Sequence, residues 1–187
     1  MKRLVIFAIF MALLIVPSTT YAQSYLKRTV GAVEVDLSVG LVTATNKMVD
    51  FGRSRQGVEV GAEVRYNFYQ APVDLGLQFS LCTFNRGERT NNTASNYSFN
   101  SQTLLITSDY NFFQTRLASL FVGMGAGCAW NNINQDNTRS GFNPCVAPRI
   151  GVEIANHLRI TATYKFYEKA NNHLLLSVGF AFGGGKR

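Results

Sequence analysis

The sequence predicts an all-β fold: an eight-stranded antiparallel up-and-down transmembrane β-barrel, preceded by a cleaved signal peptide. Three observations predict it. After the first two dozen residues, apolar side chains occupy every second position in eight separate segments, with charged, small or hydroxylated residues between them. Short links between these segments alternate with long polar ones, and aromatic residues gather at the segment ends. This combination is typical of barrels whose outer surface faces lipid.

Residues 1–22 have the features of a secretory signal peptide. Lys2 and Arg3 precede an uninterrupted apolar run from Leu4 to Val16, and a small-residue site ends at Ala22. The apolar run is shorter than the ~20 residues that a membrane-spanning helix requires. Cleavage after Ala22 is therefore favoured over a retained anchor. Residues 23–187 are predicted to form one domain without an internal linker.

The eight strands follow from the period of two, because a strand turns successive side chains to opposite faces and a helix would scatter them around its circumference. The first three strands alternate without interruption between apolar residues and acids, glycine or other polar residues. The strands are predicted over residues 33–41, 58–68, 73–81, 103–112, 120–127, 146–154, 158–166 and 174–182.

The fourth, fifth and sixth strands carry local irregularities, whereas the seventh and eighth alternate regularly. In the fourth, the apolar Leu105 falls on the polar face and the polar Ser108 falls on the apolar face. The polar face of the fifth is rich in glycine, which leaves room for bulky neighbours such as arginine inside the barrel. In the sixth, Pro148 removes one ladder donor, so a bulge or a local irregularity is expected there.

The links follow from the even number of strands, which places both chain ends on one side of the membrane. With the N-terminus in the periplasm, three short turns become periplasmic, near residues 71–72, 113–116 and 155–156. The remaining links are then external, over residues 42–57, 85–97 and 129–144, with a short tip at 170–172.

Alternation also places eleven charged residues on the inward face, seven acids and four bases. They are Glu34, Asp36, Glu59, Glu63, Arg65, Asp74, Asp109, Arg149, Glu153, Arg159 and Lys165. An eight-stranded barrel is only wide enough for its side chains to fill, and an unpaired buried charge is costly. The leading interpretation of this lumen charge network is a structural polar core, and the alternative is a narrow small-solute pore gated by the charge pairs.

Removal of Lys2 and Arg3 with the signal peptide lowers the formal net charge from +7 to +5. Because the inward face carries −3, the excess of basic residues lies at the two rims, +3 in the long links and +5 at the opposite end. Nucleic-acid binding would require a clustered basic stripe with interleaved aromatic residues, so that class is excluded. Basic rims fit contact with anionic lipid head groups.

Two histidines raise the question of catalysis. His157 and His173 are predicted at opposite ends of the barrel, so they cannot share a metal. His173 and Ser177 lie four residues apart on one face, and with an inward acid they could form the triad of a lipid-modifying hydrolase. Such spacings are common in a serine-rich barrel, so the protein is predicted to be non-enzymatic, without a cofactor or metal.

Three cysteines, an odd number, lie in a chain predicted for a compartment that permits disulfides. Cys128 and Cys145 flank one external link, where a bridge would add about 3 kcal/mol to stability. Side chains on opposite faces would forbid that bridge. Cys82 is predicted to be a buried small residue.

Alternation alone does not say which face is inside. A soluble periplasmic carrier of lipocalin type would turn its apolar face inward around a small ligand. The membrane interpretation is favoured because the apolar face is nearly continuous in all eight strands. The other face is too sparse in charge and too rich in Gly, Ser and Thr to solubilise an exterior.

From the strand Val33 to Leu41 through the last strand, Ser177 to Phe182, the chain resembles the small eight-stranded outer-membrane β-barrel domain family of Gram-negative bacteria. The resemblance covers the whole mature chain. It implies insertion into the cell outer membrane by the barrel-assembly machinery. That machinery reads an aromatic-ended last strand; Phe182 matches, although five residues follow it. The resemblance implies no catalytic residue. The protein is expected to be a monomer in contact with outer-membrane lipid, and polar, turn-prone external sequences such as Asn91-Asn92-Thr93 suit contact with lipopolysaccharide sugars.

The leading functional hypothesis is a structural or surface-interaction protein that acts through its external loops. A narrow, porin-like pore for small solutes is the runner-up, and a lipid-modifying enzyme at the external rim is the third.

Overall fold

The computed structural model describes residues 32–45, 56–68, 71–90, 93–112, 115, 117–134, 139–167 and 172–183. These residues form a closed barrel of eight antiparallel strands in chain order. The strands are β1 (Val33–Ala44), β2 (Gln56–Asn67), β3 (Val73–Thr90), β4 (Thr93–Phe112), β5 (Ala118–Asn134), β6 (Arg139–Ile154), β7 (Leu158–Lys165) and β8 (His173–Phe182). The predicted signal peptide, residues 1–22, lies outside the described residues. Within the described ranges no helix is long and apolar enough to cross a membrane.

The barrel closes where β8 pairs with β1, from Val35 opposite Phe182 to Ala44 opposite His173. Every strand therefore has a hydrogen-bonding partner on both sides, which is what a sheet in lipid requires because no water is present to satisfy an open edge. The predicted eight-stranded fold is confirmed.

The apolar face of the sheet points outward. Leu41 and Ile106 are 68% and 69% exposed, whereas Glu34 and Arg65 are 2% and 1% exposed. An outer surface of this composition is stable only against lipid, because in water it would lose the hydrophobic contribution to folding. This orientation rules out the lipocalin-type alternative.

Two of the predicted external links are mostly strand. β3 continues to Thr90 opposite Thr93 of β4, and β5 and β6 pair as far as Ile133 opposite Arg139. The prediction of loops over 85–97 and 129–144 was therefore wrong. Ladder hydrogen bonds join main-chain groups, so a hairpin whose register is set can continue through polar residues. The predicted link 42–57 is shortened at both ends, and residues 46–55 lie outside the described part.

The irregularity expected at Pro148 is an interruption of the ladder and not a bulge. β6 pairs with β7 from Ile154 to Arg149 and again at Val146, which exchanges two main-chain hydrogen bonds with Phe166, at 3.1 and 2.7 Å. The register is the same on both sides of the gap. The gap arises because proline has no N–H to donate.

The two ends of the barrel differ in their connections. The short-turn end contains the turn 155–157, in which Ala155 and Asn156 have φ of 52° and 61°. The N–H of His157 donates to the carbonyl of Ile154 across this turn, at 3.1 Å. The opposite end, from which the β3–β4 and β5–β6 hairpins extend, is the long-hairpin end.

Aromatic pairs mark both ends of the lipid-facing band. At the short-turn end, the rings of Tyr66 and Phe68 are 5.1 Å apart and those of Phe180 and Phe182 are 4.9 Å apart. At the long-hairpin end, Tyr164 contacts Phe166 at 4.6 Å, and Trp130 contacts Phe142 at 5.6 Å. Such girdles lie at the two interfaces between lipid and water.

Candidate functional site

The charged side chains of the interior form two groups. All eleven residues of the predicted lumen network face inward, and all but Asp74 are at most 5% exposed. The arginine cluster occupies the middle of the barrel and the short-turn end, and contains Arg65, Arg149, Arg159, Glu34, Glu63, Asp109 and Glu153. The lysine cluster lies nearer the long-hairpin end and contains Lys165, Glu59, Ser80, Thr103, Cys82 and His173.

Arg149 is the central member of the arginine cluster. Its guanidinium donates to both carboxylate oxygens of Glu63, at 2.8 and 2.7 Å, and to both of Asp109, at 2.7 and 2.8 Å. Glu63 lies on β2 and Arg149 on β6, four strands apart in either direction around the ring. This bidentate pair therefore joins opposite walls of the barrel across the lumen.

Two further arginines complete the cluster. Arg65 on β2 forms ion pairs with Glu34 at 3.1 Å and with Glu153 on β6 at 3.7 Å, a second link between opposite walls. Arg159 pairs with Asp109 and places its guanidinium 3.7 Å from the ring centroid of Phe121. The buried aromatic face thus supports the cation where the carboxylates do not reach it.

Inward glycines provide the space that these side chains occupy. A Cβ at Gly123 would overlap the carboxylate of Asp109, and one at Gly151 would overlap the ring of Phe121. Gly123 of β5 thus makes room for Asp109, the carboxylate partner of the arginines, and not directly for an arginine as expected from the sequence. Two inward acids lie outside the ion pairs of both clusters. Asp36 packs against Gly179, and Asp74 accepts a hydrogen bond from Asn111 at 2.5 Å.

Lys165 is the centre of the second cluster and is fully buried. Its ammonium donates to Glu59 Oε1 at 2.5 Å, to Ser80 Oγ at 2.8 Å and to Thr103 Oγ1 at 3.2 Å, and these partners lie on three consecutive strands. All three donors of the ammonium are therefore satisfied.

His173 and Tyr167 lie over Glu59 at the long-hairpin end. His173 Nε2 is 3.6 Å from Glu59 Oε2, and the rings of His173 and Tyr167 are 5.2 Å apart. Burial raises the pKa of Tyr167, because the phenolate would be poorly solvated there. The phenol is therefore neutral over the physiological pH range.

The residues of the predicted hydrolase triad do not come together. Four residues along a strand span roughly 13 Å, so Ser177 cannot hydrogen-bond to His173, and its hydroxyl donates to the carbonyl of Thr161 at 3.4 Å. His157 lies at the opposite end of the barrel, stacked on Phe180, with Nδ1 3.0 Å from the carbonyl oxygen of Ala181.

The bridge predicted as possible between Cys128 and Cys145 is not formed, since both are free thiols. Cys145 is opposite Gly127, and Cys128 is opposite Pro144. The two cysteines are therefore one position out of phase across the hairpin. Cys145 is buried on the inward face, whereas Cys128 belongs to the outward one. Side chains on opposite faces of a sheet do not meet the geometry of a disulfide.

Comparison with known families decides what kind of barrel this is. The model of the outer membrane protein beta-barrel domain matches residues 8–182. The chain belongs to this family. It is an integral protein of the cell outer membrane in the Gram-negative envelope.

Solved structures share the fold of this outer membrane protein beta-barrel domain at low identity. Neisserial surface protein A (NspA) is 12% identical over 81% of this chain and 97% of its own, with a TM-score of 0.60. OprG from Pseudomonas aeruginosa is 9% identical over 84% of this chain and 99% of its own, with a TM-score of 0.57. No curated protein sequence matches the chain.

Among the described residues, a hollow lies on the outer surface where the lipid-facing band meets the long-hairpin end. Its volume is about 660 Å³. Aromatic and aliphatic side chains form part of its lining, and amides form the rest. The lining residues are Phe79, Gln102, Leu104, Trp130, Asn131, Asn132, Gly141 and Phe142.

Sequence reasoning missed one constellation. Glu59, Cys82 and His173 come from β2, β3 and β8, and their side-chain donor atoms lie within 4.8 Å of one another. Glu59 and Cys82 are direct partners in the β2–β3 ladder. Counting the register of that hairpin outward from its turn would have paired them, but nothing in the linear spacing brings His173 to the same place.

Proposed function

We propose that this barrel is a non-enzymatic interaction protein of the outer membrane, and that its partner is lipopolysaccharide. In this proposal the barrel holds the protein in the membrane, and the ion pairs across its lumen stabilise it. The β3–β4 and β5–β6 hairpins form a contact surface above the outer leaflet. The observation that carries the proposal is that strand pairing in these hairpins continues well past the lipid-facing band.

The extent of this continuation follows from β3. Its outward apolar residues end at Leu81, and the strand continues from Cys82 to Thr90, which is roughly 30 Å at about 3.3 Å per residue. On the other side of the ring, β7 ends at Lys165 and β8 begins at His173. The paired strands over residues 83–90, 93–100, 131–134 and 139–142 form what we term the external wall.

Two features support lipopolysaccharide as the partner. The sequence of the external wall contains Arg86, Arg89 and Arg139 against a single acid, Glu88, and basic residues attract the anionic groups of a membrane surface. The hollow lined by Trp130 and neighbouring residues extends from the lipid-facing band into the base of the wall, at Asn132 and Phe142, and combines apolar and amide surface. An amphipathic lipid with a charged saccharide would contact both regions.

The ion pairs in the barrel interior favour a closed membrane anchor over a channel. Arg149 and Arg65 each join β2 to β6 across the lumen, so a water path would require breaking buried ion pairs, each of which costs several kcal/mol when only one partner is removed.

The test of the proposed function removes the tip of the external wall. Phe84 and Phe99 are direct ladder partners. The N–H of Asn111 donates to the carbonyl of Pro72 in the same ladder, so Phe84 and Phe99 belong to the hydrogen-bonded set of pairs. Residues 85–98 can therefore be replaced by Asn-Gly, which closes a two-residue hairpin. We expect this variant to fold and to show the heat-dependent gel shift of an intact barrel. We also expect it to bind purified lipopolysaccharide core oligosaccharide at least tenfold more weakly than the full chain, with both proteins in phospholipid nanodiscs.

A matched variant separates shape from charge. Replacing Arg86 and Arg89 by Gln preserves the length of the wall, and we expect it to lose most of the salt-dependent part of the binding. Equal oligosaccharide binding by the full chain and the trimmed variant would show that the wall is not the contact surface. Absence of binding by the full chain would reject lipopolysaccharide as the partner.

The alternative functions have their own measurements. For the proposed anchor we expect a silent planar bilayer at all voltages, whereas discrete conductance steps altered by Arg149→Ala would indicate a pore. We expect an unchanged lipid A profile on overexpression, whereas a changed profile that His173→Ala restores would indicate an enzyme.

A further inference from the structure

The cluster of Glu59, Cys82 and His173 has the composition of a metal site. Carboxylate, thiol and imidazole are the side chains that bind zinc in proteins, and thiolate and imidazole favour zinc over calcium or magnesium. The three residues are 3%, 4% and 1% exposed, and their donor atoms lie within 4.8 Å of one another. Three protein ligands from three different strands converge on one point of the interior.

The hydrogen bonds around Glu59 leave one of its oxygens available. Lys165 occupies Oε1 at 2.5 Å and directs its remaining donors to Ser80 and Thr103. Glu59 Oε2 is buried and accepts no hydrogen bond within the part of the chain that the structure describes. Its ion-pair partner is His173 Nε2, 3.6 Å away, and a divalent cation between the two atoms would compensate the buried carboxylate more fully than that distant contact does.

The spacing of the donor atoms fits a shared ion better than a direct contact. Glu59 Oε2 and His173 Nε2 are 3.6 Å apart, which is longer than a hydrogen bond. Oxygen and nitrogen ligands at their usual distances from tetrahedral zinc lie roughly 3.3 Å from each other, and sulfur and nitrogen ligands roughly 3.6 Å. The three donor atoms already lie within 4.8 Å of one another.

We propose that Glu59 Oε2, Cys82 Sγ and His173 Nε2 bind a zinc-class divalent cation inside the long-hairpin end of the barrel. Binding converts the Cys82 thiol to a metal-bound thiolate and releases its proton to solvent. Lys165 continues to donate to Glu59 Oε1 and orients the carboxylate, as a residue behind a metal ligand does.

The position of the cluster indicates which side supplies the ion. His173 is the first residue of β8, at the long-hairpin end, and Tyr167 packs against it. The arginine cluster and its cross-lumen ion pairs lie between this site and the short-turn end. The ion therefore enters from the side that carries the external wall.

The first test uses the sulfur-to-metal charge-transfer absorption of Cd²⁺ as the probe. Folded, chelator-treated mature protein in detergent is titrated with Cd²⁺, and we expect an absorption band that saturates at one equivalent and is displaced by Zn²⁺. We expect the band to be lost in Cys82→Ser and retained in Cys145→Ser, which removes another buried thiol. In His173→Asn we expect binding at least about tenfold weaker.

Two results would overturn the site: a folded wild-type protein without a saturable band, or a band that persists in Cys82→Ser. A measurement on the wild-type chain guards against a variant that does not fold. Alkylation of each cysteine is followed by mass spectrometry with and without Zn²⁺. We expect Zn²⁺ to slow modification of Cys82 at least tenfold and to leave Cys145 unchanged, and an unaffected rate at Cys82 would equally reject the proposal.

Discussion

The two clusters of the barrel interior are buried to the same degree but are organised differently. In the arginine cluster, forked guanidiniums contact several carboxylates at once, and Arg149 and Arg65 join β2 to β6. In the lysine cluster, a single ammonium balances a single carboxylate, and Cys82 and His173 stand beside that pair. The difference teaches that one inner face can both stabilise a fold and hold ligand-type side chains. A planar guanidinium contacts two carboxylates at once, whereas the Lys165 ammonium pairs with one carboxylate and donates to the Ser80 and Thr103 hydroxyls.

The largest expected effect on stability comes from breaking the ion pairs of Arg149 with Glu63 and Asp109. Arg149→Met leaves Glu63 and Asp109 buried without their main partner, so we expect the free energy of unfolding in lipid vesicles to fall by about 3–5 kcal/mol. The triple variant Arg149→Met, Glu63→Gln, Asp109→Asn removes the charges together and should recover most of that loss. Equal destabilisation in both variants would show that packing, and not charge pairing, holds the arginine cluster.

The same change in the lysine cluster should cost less. Lys165→Met leaves one buried carboxylate without its partner instead of two, so we expect the free energy of unfolding in lipid vesicles to fall by about 3 kcal/mol or somewhat less. Adding Glu59→Gln should restore part of it. A loss larger than that of Arg149→Met would reverse the ranking of the two clusters.

A smaller effect tests how tightly the arginine cluster is packed. In Gly123→Ala the new methyl group overlaps the Asp109 carboxylate, so we expect a loss of about 1–3 kcal/mol. Gly141→Ala is the matched control, because its methyl group would meet only Asn143, at an ordinary 3.6 Å. Similar stability for the two variants would mean that Asp109 moves aside freely.

The smallest expected change in the unfolding free energy comes from a turn residue outside both clusters, and it shows how small a difference the measurement resolves. Ala155 has a φ of 52°, a conformation that costs a residue with a side chain about 1 kcal/mol or more. We expect Ala155→Gly to raise the unfolding free energy by about 0.5 kcal/mol once the greater chain entropy of glycine is subtracted. Ala62→Gly, in the middle of β2, should instead lower the unfolding free energy by about 0.5–1 kcal/mol. A higher unfolding free energy for Ala62→Gly would show that the measurement does not report strand stability.

Much of the fold could be predicted from the sequence because a strand has a period of two. Val33 to Leu41 and seven similar segments determine the number of strands and the inward positions of the charged residues, Arg149 and Glu63 among them, whereas the register of the fourth strand and the face of Cys145 stayed open. The ends of the hairpins could not be predicted, because polar residues such as Thr90 and Thr93 pair through main-chain groups that side-chain chemistry does not reveal.

What the sequence by itself determined is local: alternation, turn residues and the lipid-facing band follow from neighbouring side chains. What only the tertiary structure decided is which distant residues meet. Arg149 reaches Glu63 because closure of the ring sets β6 opposite β2. Cys145 and Cys128 face opposite sides of the sheet because the β5–β6 register pairs Cys145 with Gly127, the neighbour of Cys128. His173 joins Glu59 and Cys82 only when β8 closes on β1, since curvature and register bring together strands that no linear spacing relates.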